Sequence, residues 1–410
     1  MNIDETYDVI IMGLTRWDNT LYSSILGIAK EFAKNHRVFY IDRPVSFKDY
    51  LKEKKLNPIS NRKEAILYGK NIFNTVNLDG TELITVTPKM SMPINFLPHG
   101  FLYEKALKYN QSLISTVIDK TIQEYKIEKY IFINSFIPGY FDVFWPSTKA
   151  PLLKIYRSTD DISQEHYIAK HGVKEEQSAV KNADIVVTTS FKLSQKLSNK
   201  DKPAFRIPNA VDPELFHPDL SALKRPKEIE HVPGKIILFT GMLSRLRIDY
   251  ELLKKIAQSK EDYTLVVVGL YDQKDIIGYG LQQEKNIIFT GAKPASELKN
   301  FLAHADCAII PFLKNQLTES IYPLKINEYM LFGLPVVSSN FSEDIRTFNG
   351  LINICDNHEE FIQNIDIAIQ ENSEEKRLQR IETAQSNTWK VRVNEIKKLI
   401  KEKIKEKSLV

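Results

Sequence analysis

The chain has 410 residues, and at about 150 residues per domain it holds two or three domains rather than one small module. Hydrophobic residues make up 43% and charged residues 26%, which excludes a disordered chain and supplies a sizeable core. The 56 Lys and Arg against 52 Asp and Glu leave a net charge of +4, too small for a general nucleic-acid coat, so any anion site must be local.

The N-terminal stretch MNIDETYDVIIMG has no basic segment leading into an apolar one, and no apolar run approaches the ~18 residues of a spanning helix. The two cysteines, Cys307 and Cys355, sit inside apolar runs and form no disulfide framework, so a cytoplasmic protein is expected. YDVIIMG is followed by SSILGIAKEFAKN and RVFYID, and later by KYIFINS and LLKIYRS. Such alternation of β-branched runs with amphipathic stretches predicts a parallel sheet with helices on both faces. Gly13 allows a tight turn after the first strand, and Arg16 would overhang the cleft beyond it. Asn134, in FINSFIPG, and Asp160 and Asp161, in IYRSTDDIS, are strand-end polar groups that either face a cleft or cap the next helix.

Around residues 199 to 235 the alternation lapses into a proline- and charge-rich stretch, the expected linker. A second alternation begins with KIILFTG and runs through YTLVVVG, NIIFTG, DCAIIPF, LPVVSS and LINIC. The expected architecture is α/β, with two Rossmann-like, doubly wound parallel-sheet domains facing a central cleft. The boundaries are residues 1–205 for the first domain, 206–234 for the linker, 235–385 for the second domain and 386–410 for a terminal helix. That helix can pack back on the first domain.

The most informative stretch is ESIYPLKINEYMLFGLPVVSS, residues 319 to 339. A loop with Pro323 enters a helix carrying Lys325 and Glu328, Gly333 ends it, and Pro335 starts a strand. Unpaired backbone N–H groups and the Lys325 ammonium would converge on an anion, and Glu328, three residues on, could accept hydrogen bonds from a ribose diol. A surface Lys–Glu pair on an ordinary helix fits the same residues.

The run PLKINEYMLFGLPVVSS resembles the donor-binding segment of retaining glycosyltransferases of the GT-B fold, glycosyl transferases group 1 type, in a cell-surface polysaccharide, teichuronic-acid-like branch. Other pieces follow in that family's order. IPNAVDPELF at 207 to 216 resembles its interdomain signature, NADIVVTTS at 182 to 190 the strand before it, residues 286 to 312 a further segment, and SNTWKVRVNEI its late tryptophan segment. The resemblance covers roughly the second half of the chain. It departs at Ser320, which stands where the family's first motif glutamate should be while Glu319 is one place out, and at Met242, where an Arg usually follows Gly241.

The resemblance implies a metal-independent transfer of a sugar from a nucleoside-diphosphate sugar to a glycan or lipid-linked acceptor, with no cofactor beyond that substrate. It implies Arg247 and Lys325 as the catalytic diphosphate pair, with Arg245 in reserve. The implied donor-binding residues are Gly241, Arg245, Gly291, Glu319, Ser320, Pro323, Leu324 and Glu328. The acceptor-side candidates are Gly13, Arg16, Asn134, Asp160 and Asp161, with His99 as a sugar contact of lesser weight. No D-x-D, H-E-x-x-H or paired C-x-x-C offers a metal-ligand set. A sugar-nucleotide epimerase of the same fold, using Asp160 and Asp161 as acid and base, is the first alternative, and a non-catalytic partner subunit is the second.

Two stretches mix cations with apolar residues as interfacial segments do: VSFKDYLKEKKL at 45 to 56, and the terminal helix with lysines at 397, 398, 401, 403, 405 and 407. Solvated helix faces share that composition. An anionic membrane surface, with a peripheral position at the inner face of the cell membrane, therefore joins the expected partners beside the alternative.

Overall fold

The computed structural model describes residues 6–18, 23–78, 80–144, 149–216 and 223–409. Residues 1–5 of the N-terminal stretch, 19–22 of the loop after the first strand and 217–222 of the linker, on which parts of the expectations fall, lie outside them.

Two sheets organise the chain. The first contains β1 (Asp8–Gly13), β2 (Val38–Asp42), β3 (Phe73–Leu78), β4 (Thr81–Val86), β5 (Tyr130–Ser135), β6 (Leu153–Ser158), β7 (Ile185–Thr188) and β8 (Ala204–Arg206). Its order is β3-β4-β2-β1-β5-β6-β7-β8. The second contains β9 (Lys235–Thr240), β10 (Tyr263–Val268), β11 (Ile287–Gly291), β12 (Cys307–Ile310), β13 (Val336–Ser339) and β14 (Asn353–Cys355), ordered β11-β10-β9-β12-β13-β14. All pairings are parallel except β3 with β4, a hairpin at the edge of the first sheet. The alternating polar pattern of NTVN in β3 suits that half-exposed position, which the βαβ reading does not contain.

Period-two alternation divides β1 between two cores. Val9 and Ile11 face one side, Ile10 and Met12 the other, and all four are fully buried. Burial on both faces requires helical cover on both, and part of it comes from the far end of the chain. The terminal helix Trp389–Ser408 presents Trp389, Val393, Ile396 and Ile400, at helical spacing, to the core that holds Val9 and Ile11. Ile396 is 2% exposed, so Ile396→Ala should cost about 2–5 kcal/mol of stability, read as a lowered urea midpoint. An unchanged midpoint would show that this contact is dispensable.

The segment IPNAVDPELF ties the halves together. Ile207 and Ala210 enter the first domain's core, whereas Val211 and Phe216 enter that of the second. The Val211 N–H donates to the Asn387 carbonyl at 3.1 Å, just before the terminal helix. Ion pairs add to this, Lys30 with Asp212 at 2.9 Å and Arg206 with the fully buried Asp344 at 2.8 Å. In each sheet the strand order reverses beside the first strand, between β1 and β5 and between β9 and β12. Crevices at such switch points are where ligands bind in open α/β sheets.

Candidate functional site

The second domain supplies one wall. β9 runs straight into Gly241, whose φ of 134° disfavours any side chain. A Cβ there would lie 3.9 Å from Cε of Lys325, so the bare backbone of the β9 turn faces that lysine. Helix Leu324–Leu331 begins after Pro323, which offers no side-chain cap to the first-turn N–H groups. Tyr329 fixes the helix to the end of β9, its hydroxyl accepting from the Thr240 N–H at 2.9 Å.

The Lys325 ammonium lies 3.1 Å from Oε2 of Glu328 and 3.4 Å from Oε1. Glu328 is 1% exposed and the Lys325 side chain 30%, so a buried carboxylate is held by a cation that remains partly exposed. A buried carboxylate without such a partner would be strongly disfavoured. Cation, carboxylate, uncapped helix start and glycine turn therefore occupy one place.

The loop before this helix is held by amides from distant parts of the chain. Asn209 donates to the Tyr322 carbonyl at 3.1 Å, while the Asn387 amide donates to the Tyr322 hydroxyl at 2.9 Å and to Oδ1 of Asn327 at 2.5 Å. Asn209 Oδ1 accepts in turn from Arg157 at 3.2 Å. Arg157, at the end of β6, is 2% exposed, and burial lowers its guanidinium pKa to about 10. Its other hydrogen bond goes to the neutral Ser135 hydroxyl.

Arg157 lines a cleft of about 410 Å³ together with Arg43, Arg247, Asp160 and Glu165. Arg247 reaches across from the second domain to Glu165 at 2.7 Å and Asp160 at 3.5 Å. Burial pushes the Asp160 carboxyl up from the usual carboxylate range, against the pull of the Arg247 charge. An adjoining cavity of about 520 Å³ shares Leu14, Arg43, Phe136 and Ile168 with this cleft and extends along the first domain.

Of the residues singled out from the sequence, Gly241, Pro323, Leu324, Lys325 and Glu328 come together, with Arg247 and Asp160 in the neighbouring cleft. Arg245 goes elsewhere, to Asp275 at 2.5 Å, beside an open groove lined by Met242, Leu270 and Tyr271. The Glu319 carboxylate is 3.6 Å from Lys192 of the first domain. The Ser320 hydroxyl is fully buried and donates to the Leu317 carbonyl at 2.6 Å, so it is not presented to the cleft. Gly291 has a φ of 74° and open space around it.

On the first domain, Gly13 closes β1 so tightly that a Cβ would lie 2.2 Å from the Tyr40 hydroxyl. Arg16 pairs with Glu53 at 3.1 Å and is not among the cleft-lining residues. The Asn134 amide is spent on both backbone groups of Ile137. Asp161 caps the short turn after it, accepting from the Ser163 N–H at 2.9 Å and pairing with Lys196. These two take the capping alternative. His99 packs edge-on against His171 at 4.6 Å, beside a separate cavity of about 170 Å³.

Four further residues shape the site: Arg157, Glu165, Asn209 and Gly269. Asn209 lies inside a quoted motif, but its partners are 52 to 178 residues away. Gly269 follows β10, and a Cβ on it would sit 1.8 Å from the Gly241 carbonyl oxygen. A glycine directly after a strand was its sole signal.

Among the described residues no group of three or more His, Cys, Asp or Glu could hold a metal ion, and no helix is long and apolar enough to cross a membrane.

Residues 234–371 match the family model described as glycosyl transferases group 1. A curated relative from Bacillus subtilis (strain 168), named as a teichuronic acid biosynthesis glycosyltransferase, TuaH, is 25% identical over 168 residues. That match covers 39% of this chain and 41% of the relative, so the chain spans about two fifths of the relative's length. Sucrose-phosphate synthase from Thermosynechococcus elongatus superposes with a TM-score of 0.67 at 13% identity, over 96% of this chain and 98% of that one. The α,α-trehalose 6-phosphate synthase from Burkholderia multivorans gives 0.69 at 8% identity, over 98% of both chains. An E. coli trehalose-6-phosphate protein bound with UDP-2-fluoro glucose gives 0.67 at 7% identity, over 97% and 99%. At these identities the likeness is one of fold, and the fold is GT-B.

Proposed function

We propose that this protein is a glycosyltransferase moving a sugar from a nucleoside-diphosphate sugar to a glycan or lipid-linked acceptor in cell-surface polysaccharide synthesis. The observation that carries this is the meeting of Gly241, Lys325, Glu328 and an uncapped helix start, opposite a cleft walled by the first domain. Glu328 suits a ribose diol and Lys325 with the helix start a diphosphate, while Arg43, Arg157 and Asp160 stand on the acceptor side.

The chemistry breaks the bond between the anomeric carbon and the diphosphate, whose oxygen keeps the electron pair. The acceptor oxygen takes its place, and its proton passes to the departing phosphate. Charge grows on the leaving group, and fixed cations stabilise it without metal. Retention at the anomeric carbon is part of this reading because PLKINEYMLFGLPVVSS resembles the donor segment of retaining enzymes. The group 1 match over residues 234–371 and the named role of the Bacillus relative support the donor half and the polysaccharide setting.

A thermal-shift panel of nucleotides and sugar nucleotides tests the reading. The right nucleoside diphosphate at 100 times its dissociation constant should add about 2.7 kcal/mol of stability. A panel in which none stabilises the protein would overturn it. Glu328→Gln should weaken that ligand by about tenfold by calorimetry, because a neutral amide accepts less strongly from the ribose than a carboxylate. EDTA should leave transfer unchanged; loss restored by Mn²⁺ or Mg²⁺ would place leaving-group stabilisation on a metal.

A further inference from the structure

Exposed apolar side chains lie on three segments that border one cavity. Phe47 and Leu51 lie on helix Phe47–Glu53, Met92 and Phe96 on the segment that Ser91 joins to Ser46, and Phe101 and Leu102 at the start of helix Phe101–Glu124. Their exposure runs from 49% for Met92 to 74% for Phe101. Met92 and Phe96 line the 520 Å³ cavity with Lys48, Lys52 and Tyr103, so the other four are immediate chain neighbours, within a helical turn, of lining residues. A single exposed aromatic needs no explanation, whereas six large apolar residues on three segments that border one cavity mark an interaction surface.

The charge on this face is complementary to an anionic bilayer. Over residues 43–55 of this face Arg43, Lys48, Lys52, Lys54 and Lys55 stand against Asp49 and Glu53. Both acids are engaged, Asp49 accepting from the Ser46 hydroxyl at 2.7 Å and Glu53 pairing with Arg16. Ammonium groups on flexible stems beside aromatic side chains suit the headgroup layer. The other basic stretch lacks this pairing. The terminal helix buries Trp389, Val393, Ile396 and Ile400 against the first sheet, and its Lys403 and Lys407 pair with Glu406 and Asp184.

We propose that this face of the first domain docks on an anionic membrane surface and that the acceptor enters the cavity from the bilayer. The second clause rests on the glycosyltransferase reading; the docking does not. The cavity leads inward, sharing Leu14, Arg43, Phe136 and Ile168 with the cleft that holds Arg247. Each basic residue near such a surface contributes about 1 kcal/mol, so the association is reversible and depends on salt.

Flotation with vesicles of phosphatidylglycerol and phosphatidylcholine, compared with phosphatidylcholine alone, tests the docking. The wild-type chain should float with the anionic vesicles at low salt, not with the neutral ones, and less as salt rises. Phe47→Ser combined with Phe96→Ser and Phe101→Ser should lower the partition coefficient by at least ~10-fold. Lys48→Glu with Lys52→Glu, which keeps the aromatic residues, should lower it as well. Lys398→Glu with Lys405→Glu, on the terminal helix, should leave it unchanged. No binding of the wild type to anionic vesicles, or a loss that follows the terminal-helix variant instead, overturns the proposal. Nucleoside-diphosphate affinity measured on the same preparations separates a failure of docking from a failure of the glycosyltransferase reading.

Discussion

Lys325→Ala is expected to lower kcat by ~100- to 1,000-fold while raising the donor KM much less, the effect of removing one preorganised contact to a leaving group. Lys325 is well placed for that effect. It backs onto the Gly241 turn, sits in the first turn of an uncapped helix and is held 3.1 Å from Glu328, so its ammonium is oriented before any substrate arrives. Alanine also strips a buried carboxylate of its cation, so a loss of stability should accompany the loss of rate. Lys325→Arg, which keeps the charge, should recover stability and part of the rate. Arg247→Ala should be the milder change, because Arg247 already shares its charge with Glu165 and Asp160. The sequence suggests Arg245 as its substitute, yet Arg245 is engaged 2.5 Å from Asp275 beside another groove. The double change at 245 and 247 should therefore equal the product of the single ones. Near-normal kcat in Lys325→Ala, with KM alone raised, would make Lys325 a binding residue only.

Gly269→Ala is expected to be nearly as damaging, although residue 269 carries no functional group. The added carbon would lie 1.8 Å from the Gly241 carbonyl oxygen and 2.5 Å from its carbon. Both are backbone atoms, so no side-chain rotation relieves the clash. The β9 turn itself must move away from Lys325. Overpacking of this kind costs roughly 1–3 kcal/mol or more, and the same displacement should weaken nucleoside-diphosphate binding by at least about tenfold. Gly350→Ala is the control, since open space surrounds that position, outside the site, and only the unfavourable φ opposes the change. Calorimetry and urea unfolding on both variants decide the matter. Undiminished affinity in Gly269→Ala would mean that the β9 turn does not position the diphosphate.

Runs such as YDVIIMG and KIILFTG were legible as strands because burial on both faces confines their polar residues to the ends. The β3–β4 hairpin was not, because NTVN and TELIT alternate weakly and their pairing depends on an edge that only the assembled sheet defines. Helix Leu324–Leu331, its glycine stop and the Lys325–Glu328 pair were legible because all are local, three residues apart or fewer than ten. Arg157, Glu165 and Asn209 were not, because what marks them is burial and contacts 52 to 178 residues distant. Three stretches quoted separately from the sequence, containing Asn209, Asn327 and Asn387, meet in one hydrogen-bonded knot beside the loop that enters helix Leu324–Leu331. Their fixed order along the chain thus has a spatial cause that linear reading does not display.

The link from Arg247 to Glu165 and Asp160 has a consequence for discrimination among anions. Whatever takes hold of Arg247 must displace two carboxylates that are tethered to the protein and cannot diffuse away. A tethered competitor acts at an effective concentration in the millimolar range, however dilute the solution. Free phosphate, with one point of attachment, meets that competition alone. A ligand that also engages Lys325 and Glu328 meets it with several attachments at once and prevails. Under the proposed function, the salt link would therefore set a valency threshold that favours multidentate anions over small ions.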